Sequence, residues 1–196
     1  MPLQNRVDPF GALHAVSARG ALMGNRGGRF HRDDKTLGAR RHASRRWICC
    51  VCDFRGRHRD VWGAGYTELF FLDEITALAA GHRPCFECRR TDAARFLQAF
   101  GARDADEMDR RLDAERRDGR LKRTHQARID ALPDSAMFAR GGRAFAIDGD
   151  AVREWSFAGY GTPSPRPQGV TVDVLTPRST CAALARGYAP LRLNRW

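Results

Sequence analysis

Two short groups of cysteines, Cys49-Cys-Val-Cys52 and Cys85-Phe-Glu-Cys88, constrain this chain more than any other feature. Five of its six cysteines fall within forty positions. Two thiolates separated by two residues can grip one ion with metal–sulfur bonds of about 2.3 Å. The 32 residues between Cys52 and Cys85 give enough chain for the second group to return to the first. A cytosolic chain seldom uses cysteines as disulfides, so the pattern predicts a zinc knuckle. The plain alternative is reduced thiols packed as small apolar groups. Cys49, Cys50, Cys52, Cys85 and Cys88 are the candidate ligands, and the upstream group can act in two ways. A knuckle bend would offer Cys49 and Cys52. A continuous strand would turn Cys50 and Cys52 to one face and Cys49 to the other. His82 is a further candidate ligand, or else packs beside the site. Arg83, Arg89 and Arg90 are placed to offset thiolate charge.

Charge is the second constraint. The net charge is +11 over 196 residues. Residues 1–65 hold thirteen Lys/Arg against five Asp/Glu, a net +8 in the first third. Most of these cations are arginines, which fork onto phosphate oxygens. The expected partner is nucleic acid, DNA first, with Arg40, Arg41, Arg45, Arg46, Arg55, Arg57, Arg89 and Arg90 as phosphate contacts. No apolar run approaches the ~20 residues of a membrane span. The N-terminus lacks the charged start and apolar core of a secretory signal, so the chain reads as cytoplasmic.

Local patterns predict an α+β fold of two small antiparallel β/α units joined by a helical segment. The expected boundaries are a basic Gly/Arg-rich segment at 1–45, a zinc-binding unit at 46–101, a charged helical connector at 102–135, and a second unit at 136–196. Short strands are expected around 13–16 and 21–23. A hairpin is expected over 46–62, turning at Arg55-Gly56, and a strand around 69–72. A short helix over 74–80 should be capped by Asp73 and stopped by Gly81. Amphipathic residues 91–100 should form a helix closed by Gly101, and a charged helix should follow over 105–117. Residues 120–132 read as weakly helical. A second hairpin over 142–155 should turn at Asp148-Gly149. The four tryptophans, Trp47, Trp62, Trp155 and Trp196, are expected to pack around the hairpins. The Gly-rich loop at 24–35, with Arg26 and Arg29, is a turn or a phosphate cradle, although it lacks the P-loop pattern.

The last third echoes the first. Trp62-Gly-Ala-Gly-Tyr66 resembles Trp155-Ser-Phe-Ala-Gly-Tyr160, and Ala77-Leu-Ala-Ala-Gly-His-Arg-Pro84 resembles Ala183-Leu-Ala-Arg-Gly-Tyr-Ala-Pro190. The ordered match suggests a degenerate internal repeat whose second copy lacks the cysteine pairs.

Residues 68–90, Glu-Leu-Phe-Phe-Leu-Asp-Glu through Gly-His-Arg-Pro-Cys-Phe-Glu-Cys-Arg-Arg, resemble the metal-binding domain of the Ada DNA-repair protein, with a plausible match over about 47–90. That family holds Zn²⁺ on four cysteines, binds DNA and accepts a methyl group on one thiolate. The resemblance maps Cys85 and Cys88 onto the family's second cysteine pair. The family's first pair has three residues between its cysteines, and Cys49–Cys52 offers two at most. The whole sequence also resembles an uncharacterised bacterial family.

The leading expectation is therefore a zinc-binding, nucleic-acid-binding protein of DNA repair. Two alternatives remain. One is a zinc-thiolate alkyl acceptor using Cys49, Cys50 or Cys52. The other is a nuclease or abasic-site lyase with structural zinc. In that case Glu115 and His125, with Asp113 and Lys122 nearby in sequence, would supply acid–base chemistry, or Pro2 would supply a terminal amine. The bland reading of residues 109–125 is a solvated charged helix.

Overall fold

The computed structural model describes residues 1–56 and 60–191. The fold is mixed α+β. In chain order the elements are β1 (Arg6–Val7), β2 (Leu13–His14), β3 (Leu22–Arg26), β4 (Trp47–Val51), β5 (Leu69–Phe71), α1 (Glu74–Ala79), β6 (Arg83–Pro84), α2 (Arg90–Phe100) and α3 (Ala105–Arg116). There follow β7 (Arg117–Asp118), β8 (Leu121–Lys122), β9 (His125–Arg128), β10 (Met137–Arg140), β11 (Arg143–Asp148) and β12 (Ala151–Ser156). The last are β13 (Gly159–Tyr160), β14 (Ser164–Pro165), β15 (Thr171–Val174) and α4 (Arg178–Ala185).

Two sheets organise the chain. The first runs β2-β1-β5-β3-β4-β6 and is mixed, because β1 lies parallel to β5 and β4 parallel to β6. The second runs β13-β12-β11-β10-β15-β9, with β14 on β12, and is antiparallel throughout. Strands β7 and β8 form a separate ribbon. All six residues of α1 are buried. Ile75 and Ala79 of that helix pack with Met137, Ala144, Ala146 and Leu175 of the second sheet region, while Ala77 faces the first-sheet core. The largest apolar cluster joins Phe96 and Phe100 of α2, Met108 and Leu112 of α3, Ala183 and Leu184 of α4, and Phe138, Ile147 and Val174 of the second sheet.

Local expectations largely hold. Asp73 accepts from the Thr76 N–H at 2.8 Å, as an N-cap should. Gly101 ends α2 in the left-handed conformation. The pairing of β4 differs from expectation. Arg55 and Gly56 both have positive φ, so the chain does turn there. Yet β4 pairs with β3, reached across a twenty-residue loop, and no strand is formed by residues 60–68. Residues 57–59, where the return strand should begin, lie outside the described residues. Gly24 makes the β3–β4 approach possible: a Cβ there would sit 2.2 Å from the Ile48 carbonyl oxygen and 2.7 Å from the Phe71 ring. Residues 120–132 form β8, β9 and a 3₁₀ turn at Ile129–Ala131 instead of a helix, because β9 adds to the exposed flank of β15.

The end of α1 and the end of α4 match bond for bond. Gly81 N–H donates to Leu78 O and His82 N–H to Ala77 O; Gly187 N–H donates to Leu184 O and Tyr188 N–H to Ala183 O. The order β5-β3-β4 also parallels β15-β10-β11, with antiparallel pairing in each. The neighbours outside these triplets differ, since β1 lies parallel to β5 but β9 antiparallel to β15.

Candidate metal centre and basic cleft

Strand β4 settles which upstream cysteine meets the downstream pair. It is a continuous strand, so Cys49 and Cys50 face opposite ways. Cys49 is fully buried among Val7, Leu22, Leu69 and Phe71. Cys50 faces the other side. Parallel pairing of Cys49 with Pro84, continued by Cys85 N–H donating to Cys49 O at 3.0 Å, brings Cys85 alongside. The chain then turns, closed by Arg89 N–H donating to Cys85 O, and α2 begins at Arg90. The sulfurs of Cys50, Cys85 and Cys88 lie within 4.8 Å of one another. Tetrahedral bonds of about 2.3 Å imply sulfur separations near 3.8 Å, so only a small contraction closes the three around an ion.

The three thiols perturb one another in opposite directions. Hydrogen bonds from Cys50 and Cys88, helped by the backbone N–H groups of Cys88 and Glu87, pull Cys85 down to about 2 against the opposing effect of burial. Cys50 is pushed far up, because its proton is held between Cys85 and Cys88 and because it is buried. For Cys88 the hydrogen bond with Cys50 lowers the thiol, but the bond with Cys85 and burial outweigh it and raise it. The soft, all-sulfur donor set suits Zn²⁺, Cu⁺ or an iron–sulfur cluster over Mg²⁺ or Ca²⁺.

Of the other candidate ligands, Cys49 is excluded by its face. Cys52 is exposed, with its sulfur 3.4 Å from Ala21 O, and stands outside the three-sulfur group. It does line the same cavity of about 210 Å³, whose apolar wall includes Met23, Ile48, Phe54 and Phe70. His82 is not a ligand. It is fully buried against Trp47 and Phe71, with its Nε2 accepting from Arg26 Nε at 3.4 Å. Burial and the nearby Arg26 and Arg116 push its pKa well down, in keeping with a neutral ring.

Of the arginines expected around the cysteines, Arg89 donates through Nη1 to Cys49 Sγ at 3.8 Å, although Cys49 lies outside the three-sulfur group. Arg83 forms a buried bidentate pair with Asp109 at 2.9 and 2.8 Å. Arg89, expected at phosphate, is buried and bound to Glu74 at 2.6 Å and Asp92 at 2.8 Å. A buried, paired guanidinium has no face to offer a partner, so Arg89 leaves the list of phosphate contacts. Arg90 is exposed on α2, Arg46 is exposed beside Asp106, and Arg55 is exposed over the Phe54 ring. Arg45 is exposed, and its carbonyl accepts from Arg116. Arg57 lies outside the described residues.

Arg40 and Arg41 join a feature the sequence did not assemble. A cleft of about 830 Å³ runs beside Trp47. Arg26, Arg116 and Lys122 line it from within, and Arg40, Arg41, Arg117 and Arg120 surround them. No Asp or Glu among the described residues lines it. The guanidinium carbons of Arg26 and Arg116 lie 3.9 and 4.0 Å from the Trp47 ring centroid, hence within about 8 Å of each other, where like charges repel by at least ~2 kcal/mol at an effective dielectric of 20. Each cation–ring contact returns about 2 kcal/mol when desolvated, while burying each ion costs several kcal/mol. The ring contacts therefore do not offset the burial of both charges. Arg26 is 1% exposed and, among the described residues, bonds neutral acceptors alone, including Gly11 O at 2.8 Å. Burial first, then Arg116, lowers its pKa to about 9.

No protein-family model, curated protein or solved structure matches the chain. The Ada resemblance thus rests on residues 68–90 themselves, and the three-sulfur cluster supplies one upstream cysteine where that family has two.

Of the suggested catalytic groups, Glu115 and Lys122 lie within electrostatic reach of His125. Glu115 accepts from both the N–H (2.8 Å) and hydroxyl (2.6 Å) of Ser179 and fastens α4 to α3. Asp113 is held by Arg116 and Arg117. His125 lies on β9, Pro2 is exposed at the chain start, and neither cavity above is lined by Glu115, His125 or Pro2. Lys122 instead belongs to the cleft, with its ammonium donating to Ala79 O. Burial, followed by the Arg116 and Arg26 charges, lowers it to about 7, with Asp8 and Cys181 opposing. The unfolded chain then carries a lysine proton that the fold does not hold between pH 7 and about 10.4. Stability relative to Lys122→Met should rise from pH 7 to about 10.4 and level off at its low value below pH 7. Urea midpoints of both proteins at pH 6, 8 and 10 measure this, and parallel curves would refute it.

Proposed function

We propose that the chain is a zinc-binding, nucleic-acid-binding protein in which the metal is structural and DNA is the partner. The observation that carries this reading is the division of labour on β4. Cys50 joins Cys85 and Cys88 on one face, and Trp47 borders a carboxylate-free cationic cleft on the other. Cys50, Cys85 and Cys88 would hold zinc, which would pin β4 to the start of α2 and so fix the strand bordering the cleft. The Ada resemblance adds DNA and a repair context. No described helix is long and apolar enough to cross a membrane.

Purified protein should contain one zinc per chain by mass spectrometry of the metal. It should bind a fluorescent duplex with an affinity that falls steeply with salt. If about five cations meet phosphates, raising salt from 50 to 200 mM weakens binding about 500-fold. An affinity indifferent to salt would overturn the nucleic-acid reading, and a preparation free of thiol-bound metal would overturn the zinc.

A further inference from the structure

The cleft carries more specific information than a basic surface does. Surface arginines are solvated and need no partner, but Arg26 and Arg116 are 1% and 2% exposed. Among the described residues Arg116 has one ion-pair partner, Asp113, which it shares with Arg117; Asp109, also within electrostatic reach, is paired with Arg83, and the Arg116 Nε is buried without a partner. Gly81, at φ +88, lets the end of α1 close on Arg116: a Cβ there would lie 2.6 Å from the Arg116 Cβ. Gly81 O then accepts from Arg116 Nη1 at 3.1 Å. The helix terminus and glycine therefore hold this cation rigidly in place. Asp8, the other acid within electrostatic reach of Arg26 and Lys122, is bound to His14 at 2.8 Å. The cleft thus keeps a fixed excess of positive charge.

We propose that this cleft is a seat for phosphate, either one phosphoryl group bearing two negative charges or successive singly charged phosphates of a nucleic-acid chain. Arg26 and Arg116, locked against Trp47, supply the fixed field. Lys122 and the exposed Arg40, Arg41 and Arg120 make the direct contacts. A single carboxylate would leave most of this charge unanswered, whereas a phosphoryl group accepts several donors at once and matches the fork of arginine. The phosphate can belong to a free phosphate compound or to a nucleic-acid chain. The seat rests on the nucleic-acid reading only in the second case.

The test uses the full, metal-loaded chain, with inorganic pyrophosphate as probe and sodium chloride at matched ionic strength as reference. Wild type should bind pyrophosphate by calorimetry and be stabilised in thermal unfolding beyond the chloride reference. The double variant Arg40→Ala/Arg120→Ala alters only exposed side chains, so the fold should persist, and its affinity should fall at least tenfold. Arg103→Ala, exposed and outside the cleft, should bind as wild type does. Pyrophosphate acting no better than chloride, or equal binding by wild type and the double variant, overturns the seat. Duplex binding measured in parallel separates the sources. Loss of both ligands in the double variant assigns the seat to backbone phosphates. Loss of pyrophosphate alone assigns it to a free phosphate compound and detaches it from the nucleic-acid reading.

Discussion

Serine in place of Cys50, Cys85 or Cys88 is expected to release the bound metal, whereas Cys49→Ser and Cys52→Ser are expected to retain it. The three sulfurs within 4.8 Å could hold an ion as one site, and losing any one leaves two donors that cannot enclose it. A ligand held at a thousand times its dissociation constant stabilises the fold by about 4 kcal/mol, so each of these three variants should lose roughly that much. For a chain of this length, that corresponds to a fall of roughly 10 °C in melting temperature. Cys49→Ser separates packing from ligation. Its hydroxyl would sit fully buried beside Leu69 and Phe71, costing about 1–3 kcal/mol with the metal still bound. Cys52 is exposed, so serine there should change neither quantity by much. Metal stoichiometry and thermal unfolding on all five variants give the answer. Full metal retention by Cys50→Ser, or metal loss from a folded Cys49→Ser, would refute the assignment.

The readable parts of this site and fold were those set by neighbours in sequence. Asp73, Gly81 and Gly101 announce helix ends because capping depends on residues three or four positions away. The Cys85–Cys88 pair is legible for the same reason. Whether Cys49 or Cys50 completes the site depends on β4 remaining a strand through both, and that follows from its pairing with β3 and β6. The β3 partner arrives across a twenty-residue loop, while the nearby Arg55-Gly56 turn advertised a closer one. Arg89 shows the same limit. Beside Arg90 in sequence it looked like surface charge, but the turn after Cys88 drives it inward to Glu74, fifteen residues upstream. The cleft was least legible, because Arg26, Trp47, Arg116 and Lys122 come from three separate stretches. Only Arg26, in the Gly-rich loop, and Lys122, in the charged segment, carried any sequence signal, and neither suggested the other. The α1 and α4 endings are the converse case: both follow a Gly-aromatic-x-Pro pattern, and their hydrogen bonds match.

Glu74→Ala should be the most damaging single substitution outside the metal cluster. The Glu74 carboxylate is fully buried and accepts three hydrogen bonds of 2.6 Å, from Arg89 Nη2, the Tyr188 hydroxyl and the Leu191 N–H. It stands in the first turn of α1, where a negative charge is favoured by the helix dipole. Truncation would leave Arg89 buried with Asp92, whose side chain is 40% exposed, as its one remaining close acid among the described residues, and would orphan the Tyr188 hydroxyl. Breaking a buried pair from one side costs about 3–5 kcal/mol. Glu74→Gln keeps the shape and part of the bonding, so its loss should be smaller. The effect should also reach the metal. Arg89 follows Cys88 directly, and its N–H donates to Cys85 O, so a loosened Arg89 slackens the turn that carries two ligands. Metal affinity in Glu74→Ala should therefore fall although no ligand has changed. A double-mutant cycle with Arg89→Met separates the pair from its surroundings: the two losses should be strongly non-additive, because the second substitution removes the charge that the first one strands. Additive losses, or a cost below about 1 kcal/mol for Glu74→Ala, would mean that the helix start, the cysteine turn and the C-terminal segment are held together by something other than this carboxylate.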